Sequence, residues 1–209
     1  FGMQMRVDEV NDAGGINGRK LKFIAEDSGY DPKKGLLAAQ KMVQQDKIFA
    51  MVGTIGTAVN LATFPTLFDK GVMNLFPLTA AREMYEPLHK LKFSFAAPYY
   101  TQIRMGVKWL AKERGAKKFC VIYQDDDFGT EVLKGAEDGL KDMNMSFAEK
   151  TSFKRGATDF SAQVSKMKAS DCDTVVLGTI IRETIGTIGT ARKMGWNPHF
   201  IGSSAALPI

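Results

Sequence analysis

The stretch Val10 to Gly18, V-N-D-A-G-G-I-N-G, decides the fold. Before it, Met3, Val7 and Val10 recur on one helical face. The stretch itself concentrates glycine, asparagine and aspartate, which tolerate turn and left-handed backbone. After it, L-K-F-I-A-E-D at Leu21 to Asp27 reads as a strand over Leu21–Ala25. The segment therefore joins a helix to a strand. Asp31-Pro32-Lys33-Lys34 then opens a helix reaching Gln45, with Asp31 as N-cap and Pro32 at the first helical position, where its missing N–H costs nothing.

The alternation continues along the chain. Phe49–Val52 and Val72–Leu75 are short apolar runs of the kind buried parallel strands show, separated by a helix over Ala58–Phe68 that Pro65 disturbs. Helix Tyr100–Arg114 stops at Gly115. Strand Phe119–Tyr123, helix Gly129–Met143 and strand Ser146–Phe153 follow. Helix Asp159–Lys168, strand Thr174–Leu177, helix Glu183–Met194 and strand Phe200–Gly202 complete the pattern. Such an order predicts doubly wound α/β layers. The weak seam is Ala96-Ala97-Pro98-Tyr99-Tyr100, where a strand ends at a proline before a long helix, dividing the chain into lobes 1–97 and 98–209.

With 209 residues, 44% apolar and 24% charged, the composition is that of globular material, and no apolar run approaches the roughly 20 residues that span a bilayer. The net charge of +5 suits an anionic ligand, but the lysines are scattered over helix faces and no arginine stripe interleaves with aromatics, which argues against nucleic acid. His89 and His199 lack motif partners, and neither a glycine-rich phosphate loop nor G-x-S-x-G is present. No cofactor and no metal are expected. The methionines fall mainly at helical core spacing and read as packing. Cys120 begins one strand and Cys172 immediately precedes another. If those strands are neighbours in a parallel sheet, the sulfurs lie at the same end near bonding range. If they are not, each is a small buried hydrophobe. Both readings stay open.

Candidate site residues cluster after strands, where open α/β sheets bind ligands. Gly53-Thr54-Ile55-Gly56-Thr57 follows one strand and opens a helix, so its amides and hydroxyls make an anion site; Thr57 as a simple helix cap carries equal weight. Phe76-Pro77-Leu78-Thr79-Ala80 offers the Thr79 hydroxyl and an aromatic wall at Phe76, which also reads as ordinary core. Asp125, Asp126 and Asp127 are consecutive carboxylates without the spacing of metal ligands and fit the start of a helix better. Arg182, after Ile180 and Ile181, is read as a solvated arginine that begins a helix.

Five blocks carry a family resemblance: V-N-D-A-G-G-I-N-G, D-P-K-K, the Gly53–Thr57 turn, F-P-L-T at Phe76–Thr79, and V-I-Y-Q-D-D-D-F-G at Val121–Gly129. In this order the chain resembles the periplasmic substrate-binding proteins of ABC importers, in the branched-chain amino-acid-binding, type I group. The resemblance implies two parallel-sheet lobes crossed three times by the chain, with ligand in the cleft between them. It also implies a longer native chain, extended at both ends and preceded by an export signal, a periplasmic location, an inner-membrane ABC permease as partner, and a monomer.

On that resemblance the Gly56-Thr57 turn holds a ligand carboxylate. The family's threonine contact aligns with Ala80, one position past Thr79. Phe128 stands at a cleft-lining aromatic and Ile181 at a residue that closes the pocket. Ser204 stands where amino-acid binders carry the glutamate that neutralises the ligand's ammonium. An unpaired ammonium in a closed cleft costs several kcal/mol, so the expected ligand is a carboxylic acid without an α-amino group. Its aromatic or extended apolar body is accommodated by Phe76, Tyr99, Tyr100 and Phe128. The full expected set is Ile55, Gly56, Thr57, Phe76, Leu78, Thr79, Tyr99, Phe128, Ile181 and Ser204. Asp125 or Glu183 in place of the missing glutamate is the route to an amino-acid binder. A receptor's sensory domain of the same fold and an α/β enzyme compete with the importer reading.

Overall fold

A computed structural model describes residues 2–207; Phe1, read as part of the first helical pattern, lies outside them. Helix α1 is Gly2–Asp12, α2 Pro32–Gln44 and α3 Thr57–Asp69. Strands β1 (Ala50–Val52), β2 (Met73–Leu75) and β3 (Lys92–Phe93) form one sheet in the order β1-β2-β3. Helix α4 (Tyr99–Arg114) leads to β4 (Phe119–Gln124), α5 (Asp127–Lys141), β5 (Glu149–Phe153), α6 (Ser161–Ala169), β6 (Thr174–Gly178), α7 (Ile181–Lys193) and β7 (His199–Gly202). These strands make a second sheet, ordered β5-β4-β6-β7. Every pairing in both sheets is parallel.

The second sheet is covered on both faces, which is why β4 and β6 are apolar without alternation. On one face, Ile103 and Val107 of α4 and Val132, Ala136 and Leu140 of α5 pack on Val121 and Val176. On the other, Val164 and Met167 of α6 and Ala191 of α7 pack on Ile122, Val175 and Leu177. Two glycines let α5 approach α4 closely. A Cβ at Gly135 would stand 2.5 Å from the Tyr100 carbonyl oxygen, and one at Gly139 would stand 2.5 Å from Val107 Cγ2. Asp31 caps α2 as its sequence predicts, accepting from the Lys34 N–H at 2.9 Å. Helix α3 runs unbroken through Pro65, with Val59, Phe64 and Leu67 buried along it and Leu67 packed beside Met51 and Val72.

Two expectations change. Leu21–Ala25 is not a strand: among the described residues it pairs with no strand. The Asn11 amide instead satisfies Leu21, accepting its N–H at 2.7 Å and donating to its carbonyl at 2.8 Å. The segment faces Phe49–Ile55 across a groove of about 640 Å³, also lined by Met3 and Val7, so its backbone has no strand alongside to bond. The cysteine question resolves as a bond between Cys120 and Cys172, with Cα atoms 5.9 Å apart. The parallel register that pairs Cys120 with Val175 brings Cys172, just before β6, to the same end of β4.

A cleft at the carboxyl ends of both sheets

Loops that follow all seven strands line a single cleft of about 1280 Å³. Its lobe-one wall is built on the turn into α3. Gly56, the N-cap, has φ 97° and ψ 137°, a backbone that L side chains rarely adopt, and no side chain caps the helix. The first-turn amides of α3 are thus left without a side-chain acceptor at the cleft surface. Asn60 fixes the turn by donating to the carbonyls of Thr54 and Gly56 at 2.9 and 2.8 Å. Thr57, inside the helix rather than capping it, shares a hydrogen bond with Thr79 at 2.7 Å, and both are buried. Thr79 Oγ1 also accepts weakly from the Ala81 N–H at 3.4 Å.

Opposite, Asp126 caps α5, its Oδ1 accepting from the amides of Phe128 and Gly129 at 3.0 and 3.2 Å. This fixes Phe128, which meets Tyr99 edge to face at 5.2 Å between ring centres. Tyr99 begins α4 and ties it to lobe one, donating its N–H to the Ala80 carbonyl at 2.8 Å. Ile180, Ile181 and Ile185 add apolar surface after β6. Ser204 is held by Gln102, which donates to its hydroxyl at 3.1 Å and accepts its N–H at 2.8 Å.

The charged residues of the lining are basic, and each is paired from behind. Arg155 and Arg182 contribute guanidinium groups, while among the described residues no aspartate or glutamate is part of it. Asp126 sits behind Arg155, accepting from its Nη2 at 2.5 Å. Arg182, with its side chain 65% exposed, donates to Glu183 Oε1 at 3.2 and 2.8 Å through Nε and Nη2. Asp125 is exposed and Glu183 is buried, and neither faces the cleft. Burial pushes the Tyr30 phenol above the ordinary tyrosine range. Among the described residues no cluster of histidine, cysteine, aspartate or glutamate stands in metal-holding geometry, and no helix is long and apolar enough to cross a membrane.

Of the ten residues named from sequence, Ile55, Gly56, Thr57, Leu78, Thr79, Tyr99, Phe128, Ile181 and Ser204 meet at this cleft. Phe76 does not. It adopts a left-handed φ of 49°, its N–H donates to the Phe93 carbonyl at 2.7 Å, and its ring stands edge-on to Phe95, which lines the cleft instead. Tyr100 also lies outside the lining. Its hydroxyl donates to Asp138 at 2.6 Å and its face carries Arg82 at 3.8 Å. Sequence reasoning missed Tyr30 and Arg155. Both sit where a signal existed: Arg155 lies two residues beyond β5, and Tyr30 ends the extended segment before the α2 cap.

Two α/β halves turn their strand-end loops toward one cleft whose described lining is mostly apolar. Residues 2–207 match the family model described as periplasmic binding protein, and the chain belongs to that family. This is a family of substrate-binding proteins, not enzymes. The amino acid binding protein of Pseudomonas aeruginosa is 24% identical over 206 residues, covering 99% of this chain and 55% of its own length. A substrate-binding periplasmic protein from Ralstonia solanacearum superposes with a TM-score of 0.89 at 25% identity, over 98% of this chain and 57% of the other. A fatty acid ABC transporter substrate-binding protein from Thermomonospora curvata gives 0.86 at 21% identity, over 97% and 51%. The chain spans about half the length of the curated relatives it matches, 55% of the Pseudomonas protein.

Proposed function

We propose that the whole protein is the periplasmic solute receptor of an ABC importer and captures a small carboxylic acid that lacks an α-amino group. Lobes 1–97 and 98–209 close on the acid by a hinge motion, and the protein, a monomer, delivers it to an inner-membrane permease. The carboxylate docks on the Gly56-Thr57 turn with Thr79 assisting. An aromatic or extended apolar body lies against Ile55, Leu78, Tyr99, Phe128 and Ile181, with Ser204 at the far wall.

One observation carries this reading: among the described residues no aspartate or glutamate lines the cleft, and its two arginines are already paired with Asp126 and Glu183 behind it. A carboxylate gains from the first-turn amides of α3, whereas an ammonium finds no acid in the described lining and pays several kcal/mol for desolvation. A fatty acid ABC transporter substrate-binding protein shares the fold, which is compatible with an apolar acid as ligand. The second reading, an amino-acid binder, is favoured by the name of the Pseudomonas relative.

A thermal-shift screen of paired ligands, each acid with and without its amino group, separates the two. A ligand at 100 times its Kd stabilises the folded protein by about 2.7 kcal/mol. Shifts confined to the unaminated members support the proposal; shifts confined to amino acids defeat it. Replacing Thr57 by valine keeps the volume, removes one hydroxyl and weakens the best acid by roughly 1 to 3 kcal/mol. An unchanged Kd in that variant removes Thr57 from the site.

A further inference from the structure

We propose that Arg155 and Tyr30 form a strap across the cleft that holds its two walls together and braces the turn into α3. The strap does not depend on which ligand the cleft takes. Arg155 belongs to the second sheet, two residues past β5, and Tyr30 to the first half, just before the α2 cap. The two are 125 residues apart in the chain, yet Arg155 Nη1 donates to the Tyr30 carbonyl at 2.5 Å and the guanidinium lies 4.5 Å from the Tyr30 ring centre. A planar guanidinium can make both contacts at once; an ammonium cannot.

Each end of the strap is fixed from behind. Arg155 Nη2 donates to Asp126 Oδ2 at 2.5 Å, and Gln124 donates to the same oxygen at 2.6 Å. Asp126 Oδ1 is separately committed to capping α5. The arginine is therefore aimed by its own half of the molecule. At the other end, Tyr30 has φ 59°, left-handed backbone that a bulky residue keeps only where its surroundings impose it. Its ring lies on Gly56, where an added Cβ would come within 2.6 Å of Tyr30 Cε2. The ring is thus in contact with both the guanidinium and the N-cap of α3. Opening the cleft separates Arg155 from Tyr30 and takes away one support of the Gly56 turn, so closure and the geometry of the anion-holding amides are coupled.

Double electron–electron resonance on the full chain tests this without any ligand. Spin labels go on Asp69→Cys and Lys193→Cys, both exposed and on opposite halves, while the native cysteines are bonded to each other. Arg155→Ala should lose the shorter interlobe distance population of the unsubstituted protein and shift toward a broader, longer one. Arg155→Lys keeps a charge beside Asp126 and provides a counterpart more secure in folding, with the same broadening. Tyr30→Phe keeps the backbone carbonyl and the ring face but loses the phenol's hydrogen bond with Gln124, so it should fall between the unsubstituted protein and the Arg155 variants. Circular dichroism confirms that each variant is folded. Distributions unchanged in both Arg155 variants would overturn the proposal.

Discussion

Replacing Arg82 by alanine removes the second tie between the halves of the molecule, and its cost follows from unequal burial. Arg82 lies in the short 3₁₀ turn after β2, Glu131 in α5, and their side chains are 29% and 2% exposed. The guanidinium donates through Nε to Oε1 at 2.8 Å and through Nη2 to Oε2 at 3.0 Å, and it rests on the Tyr100 ring at 3.8 Å. This bonding to Glu131 raises the arginine's pKa further, so the arginine stays charged throughout the accessible range. Severing a buried pair from one side costs about 3–5 kcal/mol because a charge stays behind without its partner. Two features place the value at the lower end. The arginine is partly solvated, and the residue-82 N–H, 3.2 Å from Oε1, survives the substitution. The expected loss is therefore about 3 kcal/mol. Glu131→Ala should cost less, since Arg82 can turn to water. Arg82→Met with Glu131→Leu should recover part of the loss by leaving no charge to desolvate. Urea unfolding at neutral pH measures all three. A loss below about 1 kcal/mol for Arg82→Ala, the scale of an exposed pair, or equal losses for both single variants, would refute the burial argument.

Two further outcomes rest on single features. Changing both Cys120 and Cys172 to alanine opens a loop with a sequence separation of 52 residues; in the chain-entropy account this costs about 4 kcal/mol, read as a lower urea midpoint, and an unchanged midpoint contradicts it. Lys108 first, then Arg104, hold the Asp142 carboxyl below its usual range. A depressed carboxylate contributes stability above its unfolded pKa and loses it as pH falls through the lower folded value. Asp142→Asn should therefore flatten the acid limb of the urea midpoint as pH falls through and below the ordinary carboxylate range; an acid limb identical to that of the unsubstituted protein would show that the carboxylate contributes nothing.

Much of the fold was legible because its signals are local. Asp31 and Pro32 mark the start of α2, Gly115 the end of α4, and the unbroken apolar runs Phe119–Ile122 and Thr174–Leu177 mark strands buried on both faces. Leu21–Ala25 misled for the same reason: a short apolar run signals strand preference, not whether a neighbour exists to bond it. The strand-end rule found most of the cleft. It failed for Phe76, where a left-handed backbone re-aims the ring, and for Tyr100, one helical step from Tyr99 and so on a different face. Arg155 and Tyr30 went unseen because their pairing spans 125 residues and depends on how the two halves meet. The Cys120–Cys172 bond likewise needed the β4–β6 adjacency, which spacing does not state.

The central claim is that this cleft rejects the α-amino group. Isothermal titration calorimetry with matched pairs, 3-phenylpropanoate against phenylalanine and 4-methylpentanoate against leucine, varies that group alone. The account predicts saturable heat from at least one acid and none from either amino acid. Tight binding of leucine or phenylalanine, with no response to their unaminated partners, would contradict it.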